Sequence, residues 1–464
     1  MDDSVLKVSW SMKDPPVAPV SWHVWPEYEG STAGTTQEAE LEAGLGWAAG
    51  TLSVLGEAFD MKLGRATGWE SDRPEVRDAA RVYKRGVARR RAGDKVVRRP
   101  LQGRYDLSVW TGATPPRLKG GSWQIVDGHV ARHWPTAVRG ADDLVITLTE
   151  HTKTLASVAQ ILKAAKAAGS PQAWRVLGGG ILADVAAFAA GLAGATVEFV
   201  PTTLVAMADA CVGGKTGVNF SPYGKNQLGL FYFPSAVYVW PGWLRTLPER
   251  ELRAGSAECI KHLILAGAVP AAKTFAAAVK TRDETAIAAA LPAIMDYKVQ
   301  IVADDPAEIG RRAILNLGHT LGHALEALSQ ERTKGETTLL HGEAVGLGLL
   351  FSVLLSRDLG HLSEGAASEL SELLHEAGCT RSLSDLQTRL GVADIHDPAL
   401  LQDLKRLIGH DKKNTPQDDA AASWVLLQAV GTVYQAQANR WTTPVPMNAL
   451  DATWQGFLSA LGKA

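Results

Sequence analysis

At 464 residues the chain exceeds what one ordinary hydrophobic core organises, so two domains plus an appendage are expected. A net charge of -2 excludes a general attraction to nucleic acid or to a membrane surface, and favours a small-molecule function. Three cysteines, Cys211, Cys259 and Cys379, are odd in number and far apart, which excludes a disulfide framework and indicates a reducing, cytoplasmic compartment.

The first residues, MDDSVLKVSW, lack the basic region and apolar run of a secretory signal. Residues 1–100 read as an extension of unknown role. They hold a Pro- and Trp-bearing segment, a possible helix near Gln37 to Phe59, and a run from Lys84 to Arg99 with eight basic residues and one acid. That run reads either as a solvated helix or linker, or as a source of cations for a phosphate-bearing site. From Arg104 the pattern alternates. Strands are expected at Tyr105–Trp110, Trp123–Val126, Trp174–Leu177 and Val197–Val200, and helices at Leu155–Ala168 and Leu182–Leu192. Such alternation implies a parallel α/β sheet over residues 101–243. Beyond Leu244 strand signals nearly vanish and helices dominate to the end, so the boundary is placed near Trp243 and a second domain over 244–464. The longest apolar runs, Val185 to Val197 and Ala344 to Ser356, have 13 residues each, too short to span a bilayer.

Four stretches carry candidate chemistry. In RVLGGGILAD an apolar strand runs into Gly178, Gly179 and Gly180 and opens a helix bearing Asp184. This is either a structural turn or a place where backbone amides meet a pyrophosphate. In the segment 201–229 two Gly-bounded lysines, Lys215 and Lys225, lie near Asp209 and Asn226. The first glycine a Walker loop requires ahead of Gly214, Lys215 and Thr216 is missing, so a nucleoside-triphosphatase is rejected and a pocket for a polar anion or plain exposed lysines remain. In RRAILNLGHTLGHALE, read as one helix, Arg312, Asn316, His319 and His323 fall at offsets 0, 4, 7 and 11 on one face, opposite Ile314, Leu315, Leu317, Leu321 and Leu325. The stripe is either solvated or a site that needs a metal or an anion. Finally, Glu258, His319 and His341 could form an open carboxylate and bis-imidazole metal set, although spacing alone does not single it out.

Taken in order, EHTKTL, LGGGILAD, PTTLVAMAD, GGKTGVN, GKN, LRTLPEREL, AECIK, DDPAEIGRR, LNLGHTLGHALE, LHGEAV and HDKKN resemble the 3-dehydroquinate synthase family of sugar-phosphate cyclases, from about Arg104 to the C-terminus. The resemblance implies an α/β fold: an N-terminal Rossmann-like NAD-binding domain, a C-terminal all-helical domain holding zinc (or cobalt), and an active site between them. It makes Glu258, His319 and His341 the metal ligands. It gives NAD to Asp127, His129 (where the family commonly has Asn), Glu150, Lys153, Gly178, Gly179, Gly180, Asp184, Thr202, Thr203, Lys225 and Thr246. The substrate falls to Asp209, Lys215, Asn226, Lys261, Lys298, Arg312, Asn316, His323 and Lys412, beside the three metal ligands, with Glu308 and His323 in acid/base roles and Lys215 and Lys261 also counted as catalytic.

The activity so implied is conversion of 3-deoxy-D-arabino-heptulosonate 7-phosphate to 3-dehydroquinate and phosphate, a lyase step of the shikimate pathway toward aromatic amino acids. It runs through transient NAD oxidation, phosphate elimination, re-reduction and intramolecular aldol closure. A homodimer is implied, with no nucleic-acid or membrane partner. One departure stands out: the family's Tyr-x-Arg-Gly segment, whose Arg reaches the neighbouring subunit's phosphate, is absent, and Gly191 to Glu198 holds no basic residue. A cation from Lys84 to Arg99 is one candidate substitute. Competing readings are an amino-dehydroquinate cyclase, a cyclitol-forming cyclase, in which the second His of GHTLGH would be replaced, a metal-dependent dehydrogenase, and an inactive NAD-binding scaffold.

Overall fold

The computed structural model describes residues 5–9, 23–24, 59–60, 65–66, 106–110, 115, 118, 120–220, 224–306, 308, 310–409 and 421–462. Lys84–Arg99, Lys412 and the expected helix near Gln37 lie outside them, apart from Phe59, which sits in a two-residue strand. The chain divides into two compact units, Met1–Thr202 with Ala210–Trp243, and Thr203–Asp209 with Leu244–Ala464.

The first unit is a seven-stranded sheet in the order Val5–Ser9, Asp106–Trp110, Ala236–Val239, Thr196–Pro201, Ala173–Gly178, Trp123–Asp127 and Leu144–Ile146. Only the edge pair, Val5–Ser9 with Asp106–Trp110, is antiparallel; every other pairing is parallel. Central parallel strands face protein on both sides, which is why Ile125, Val126, Val176, Leu177, Phe199 and Val200 form buried apolar runs without alternation. Helix α1 (Gly128–His133) follows the strand that ends at Asp127, α2 is Leu155–Ala167, and α3 is Gly180–Ala193. Leu155, Val158, Ile161, Leu162 and Ala165 supply α2 with a buried stripe at helical spacing. The strands and helices expected between Tyr105 and Val200 are present, with ends shifted by at most two residues. Leu144–Ile146, Ala236–Val239 and the ladder Val218–Phe220 with Gly224–Gly229 are additional. The segment without a basic residue closes α3 with Gly194 in the left-handed region and enters the next strand two residues later, so the turn has no room for the missing motif.

The second unit is helical: α4 (Glu249–Leu265), α5 (Val269–Thr281), α6 (Glu284–Asp304), α7 (His319–Arg332), α8 (His341–Asp358), α9 (Glu364–Glu376), α10 (Leu383–Leu390), α11 (Pro398–Gly409) and α12 (Leu450–Leu461). Two small ladders, Ala421–Trp424 with Thr443–Pro446 and Leu427–Ala429 with Thr432–Val433, accompany them. Phe351, Trp424, Trp454 and Phe457 pack ring on ring in its core. Helix α6 is long and apolar enough to cross a membrane by length and composition, but half of that window is buried inside the protein.

One expectation is corrected. RRAILNLGHTLGHALE is not a single helix: Arg311–Asn316 is a 3-10 turn, and α7 starts at His319 after Gly318 at φ 81°. The break follows from packing against α8. A Cβ on Gly348 would overlap the carbonyl oxygen of Gly318, and one on Gly322 would lie 3.0 Å from the carbonyl of Ala344. Backbone approach this close requires glycine on both helices and a turn at Gly318 that only glycine adopts cheaply. Arg312 accordingly leaves the expected stripe and is 2% exposed. Its backbone N–H donates to Asp305 Oδ2 (3.0 Å) and its guanidinium to the carbonyl of Pro306 (2.9 Å).

Candidate active site

In the second unit the apposed helices bring three ligand atoms together. Glu258 on α4 is wholly buried, and its Oε1 lies 3.3 Å from Nε2 of His319 and 3.3 Å from Nε2 of His341. The three ligand atoms lie within 4.8 Å of one another. The tautomers decide what this means. Nδ1 of His319 is 3.1 Å from the carbonyl of Leu317, and Nδ1 of His341 is 3.2 Å from Oε2 of Glu326, so each Nδ1 must donate. With a neutral ring, each Nε2 then points a lone pair at the oxygen of Glu258, which itself has no hydrogen-bond donor. Three acceptors converging on one point require a cation, and carboxylate plus two imidazoles is a donor set suited to zinc or its neighbours. The alternative occupant is a proton. Burial alone lowers the pKa of His341, but the neighbouring carboxylates of Glu258 and Glu326 outweigh that and lift it to about 10. Burial, reinforced by Lys261, takes His319 to about 3.

The helix starts are fixed by ion pairs. Glu343, in the first turn of α8, takes the backbone N–H of Leu340 (2.9 Å), both arms of Arg250 from α4 (2.8 Å each) and Arg381. Burial would raise the Glu343 carboxyl, but Arg250, Leu340 N–H and Arg381 hold it below the usual range. This clamp ties His341, two residues before Glu343, to the helix that carries Glu258. Lys261, also buried, brings Nζ to 2.5 Å from Glu258 Oε2, outside hydrogen-bond geometry, and donates to the carbonyl of Leu315 (2.7 Å). Burial would raise Glu258, but Lys261 and then His319 hold it well below the usual carboxylate range.

A second group forms around Asp209, on the π-helical turn Ala206–Ala210. Lys298 of α6 donates to its Oδ1 (2.6 Å) and to its backbone carbonyl (2.7 Å), and His262 Nε2 stands 3.4 Å from the same Oδ1. Burial opposes ionisation of Asp209, but Lys298 prevails and keeps its pKa well below normal. Asp209, Glu258 and His262 also have ligand atoms within 4.8 Å of one another. Lys298 already neutralises Asp209, and Glu258 Oε1 faces His319 and His341, so this second set lacks the uncompensated charge that favours a metal.

His323 lies one turn along α7 from His319, their ring centroids 5.2 Å apart, with His341 at 6.1 Å. Asn316 donates to Glu308 Oε1 (3.1 Å), and Glu308 itself adopts φ 52°. Thr203, whose Oγ1 accepts from Ala206 N (3.3 Å), and Thr246, exposed at the end of the 3-10 turn Pro241–Thr246, both belong to the second unit. Lys412 lies outside the described residues.

In the first unit the candidates gather at the carboxyl ends of the parallel strands, where α/β sheets bind ligands. Asp127 ends its strand and caps α1, accepting from the backbone N–H of His129 (2.8 Å); His129 itself is exposed. Gly178 ends the neighbouring strand, Gly179 is the N-cap of α3 with no side-chain cap, and Gly180 is its first residue. A Cβ on Gly178 would lie 2.7 Å from Leu182 Cδ2 and 3.2 Å from Asp127 Cβ, and one on Gly180 would lie 3.2 Å from Ala210 Cβ. The result is a tight cradle whose helix N-terminus meets no side-chain acceptor and has no acid in its first turn, a fit for a pyrophosphate. Thr202, buried next door, donates its N–H to the carbonyl of Gly178 (3.0 Å). Lys153 Nζ lies 2.6 Å from Asp184 Oδ2 and 2.6 Å from Asn226 Oδ1. Lys225 lies 3.5 Å from Glu150 Oε1. Asn219 links the two groups. Its Nδ2 donates to the carbonyl and Oε1 of Glu150 (2.9 Å each), and its Oδ1 accepts from Asn226 N (2.9 Å). Lys215 is exposed on the adjoining loop.

Sequence reasoning missed His262, Glu326 and Asn219. The signals were slight: His262 follows Glu258 by four residues, Glu326 follows His319 by seven, and Asn219 closes the GGKTGVN motif.

Comparison with known proteins adds an independent line. Residues 143–254 match the family model for the 3-dehydroquinate synthase N-terminal domain and residues 255–414 that for the C-terminal domain. A 3-dehydroquinate synthase of Xanthomonas campestris pv. campestris (strain 8004) is 40% identical over 274 residues, 55% of this chain and 73% of the relative. One of Sulfurovum sp. (strain NBC37-1) is 39% identical over 222 residues, 47% of this chain and 59% of the relative. Among solved structures, 2-epi-5-epi-valiolone synthase of Streptomyces hygroscopicus subsp. jinggangensis 5008, with NAD+ and Zn2+ bound, matches at TM-score 0.61 and 24% identity, covering 76% of this chain and 97% of that one. A 2-deoxy-scyllo-inosose synthase complexed with carbaglucose-6-phosphate, NAD+ and Co2+ matches at TM-score 0.60 and 21% identity, with the same coverages. At these identities the two structures speak for the fold alone.

Proposed function

This chain belongs to the 3-dehydroquinate synthase family, and on that footing we propose that it converts 3-deoxy-D-arabino-heptulosonate 7-phosphate to 3-dehydroquinate and phosphate with NAD and zinc or cobalt. The observation that carries the metal-dependent reading is the convergence of Glu258 Oε1 with the Nε2 lone pairs of His319 and His341.

When bound, the metal supplies Lewis acidity toward a hydroxyl and NAD a reversible hydride acceptor. Glu258, His319 and His341 hold the metal, and Glu326 keeps His341 oriented. The glycine cradle Gly178–Gly180 takes the pyrophosphate. Asp127, His129, Glu150, Lys153, Asp184, Thr202, Thr203, Lys225 and Thr246 would complete the cofactor set. Asp209 receives substrate hydroxyls, and Lys298 neutralises its carboxylate. Lys261, Arg312, Asn316, Lys215, Asn226 and Lys412 hold the carboxylate and phosphate of the substrate; a hydrogen bond from a charged donor contributes roughly 1.5–3 kcal/mol. His323 accepts or returns the proton that accompanies phosphate loss. Glu308, oriented by Asn316, is the second acid/base group. Retention of His323 beside Asn316 favours the dehydroquinate reaction over cyclitol formation. A cytoplasmic homodimer completes the reading.

The deciding experiment supplies the heptulosonate phosphate, NAD and zinc, and follows phosphate release together with the carbocyclic product. Expected are both in equal amounts with NAD unconsumed. Absence of turnover with metal loaded, or a cyclitol product, would overturn the assignment.

A further inference from the structure

The roles above leave one buried histidine without a task. His262, on α4 one turn beyond Glu258, is fully buried and neither ring nitrogen has a hydrogen-bond partner. Buried polar side chains are seldom retained without a partner, so this ring needs a reason. Its contact at ion-pair distance is Oδ1 of Asp209, at 3.4 Å from Nε2. Lys298 reaches that oxygen from a different helix, α6, at 2.6 Å. One ammonium on one oxygen leaves the carboxylate plane free to turn, whereas a second donor from another direction fixes it. The side chain of Asp209 is 25% exposed, so a small molecule can reach it while His262 stays out of water. The ring of Tyr297, centroid 6.3 Å away, flanks the imidazole.

We propose that His262 is a positioning residue whose Nε2–H donates to Oδ1 of Asp209 and so sets the carboxylate that receives the substrate's hydroxyls; the second half of this statement rests on the function proposed above. Burial keeps the imidazole neutral, so it carries one N–H and the tautomer decides whether it can act. A metal role is disfavoured because Lys298 already neutralises Asp209 and Glu258 Oε1 faces His319 and His341 instead.

Two measurements test this. In full-length, metal-loaded protein labelled with 15N-histidine, the His262 signals, assigned with His262→Gln, are expected to show the Nε2–H tautomer and to shift in Asp209→Asn. An Nδ1–H tautomer, or signals indifferent to Asp209→Asn, overturns the proposal. Kinetically, His262→Phe keeps a flat ring without nitrogens and is expected to lower kcat/KM for the heptulosonate phosphate about tenfold or more, the scale for losing a bond to a charged group. Metal content and the unfolding midpoint should not fall. His262→Gln, whose amide nitrogen can reach the Nε2 position, should recover much of the loss, and His262→Asn should not. Equal kcat/KM in wild type and His262→Phe, or equal recovery by Gln and Asn, overturns the positioning role. If wild type itself fails to turn this substrate over, the functional reading falls, and the tautomer experiment still decides the contact.

Discussion

Replacing Gly348 by alanine should take the proposed metal site apart without touching any of its three candidate ligands. The added Cβ would overlap the carbonyl oxygen of Gly318 and lie 2.9 Å from its carbonyl carbon and 3.0 Å from the backbone nitrogen of Gly322. All three atoms are backbone, so no side chain can turn away. Restoring an ordinary contact of 3.4 Å or more to that oxygen drives α7 and α8 apart by more than an ångström. His319 opens α7 and His341 opens α8, so the separation falls directly on two of the three proposed ligands. Metal-ligand distances tolerate only about 0.2 Å, so zinc affinity should fall on the order of 100-fold or more, alongside an overpacking cost of roughly 1–3 kcal/mol. Gly322→Ala, with its tightest contact at 3.0 Å, should show a milder form of both effects. Gly365→Ala, which would meet nothing within 4 Å, should leave the site unchanged and gain up to about 1 kcal/mol in helix propensity. The assay is metal content after dialysis against a graded zinc buffer, with a urea midpoint on each variant. A Gly348→Ala protein with wild-type zinc and midpoint would refute the claim that this close backbone approach builds the site.

Glu326→Ala removes the acceptor that orients His341 and should weaken zinc binding about 10–100-fold while leaving the fold intact, read by competition with a chromophoric chelator. His323→Ala should hold a full complement of zinc and lose turnover; loss of zinc in that variant would make His323 a ligand and contradict the assignment. Burial pushes the Cys379 thiol up to about 12 from its ordinary value near 9. Its folded pKa is therefore above the unfolded one, so the stability it contributes is complete below about pH 8.5 and declines as pH rises toward 12, by at most about 1.4 kcal/mol per unit. Urea midpoints of wild type and Cys379→Ala at pH 8 and 10 should converge with rising pH, and parallel curves would show that the thiol does not couple to folding.

Much was legible in the sequence wherever local pattern dictates local structure. Runs such as Trp123–Val126 and Val197–Val200 announce parallel strands because both faces are buried, and the stripe from Leu155 to Ala165 announces α2. The glycine triplet placed an uncapped helix end after a strand, which is a backbone property read from residue type alone. The ordered motifs tied Glu258, His319 and His341 into one hypothesis that spacing could not single out. Tertiary structure decided the rest. A helical period drawn through Arg312, Asn316, His319 and His323 assumes an unbroken helix, and the sequence carries no measure of how closely α8 approaches. That approach, at Gly318, Gly322 and Gly348, breaks the helix, turns Arg312 inward and sets two imidazoles against a carboxylate from a third helix. The partners that make those groups work, Glu326 for His341, Asn219 for Glu150 and Asn226, and His262 with Lys298 for Asp209, are likewise set by packing. They meet across 15, 69, 7 and 89 positions of chain for the hydrogen-bonded pairs His341–Glu326, Asn219–Glu150, Asn226–Asn219 and Lys298–Asp209. The two longest of these separations lie far beyond the reach of helical or strand periodicity, and a hydrogen bond is fixed by distance in space, which only the folded chain defines.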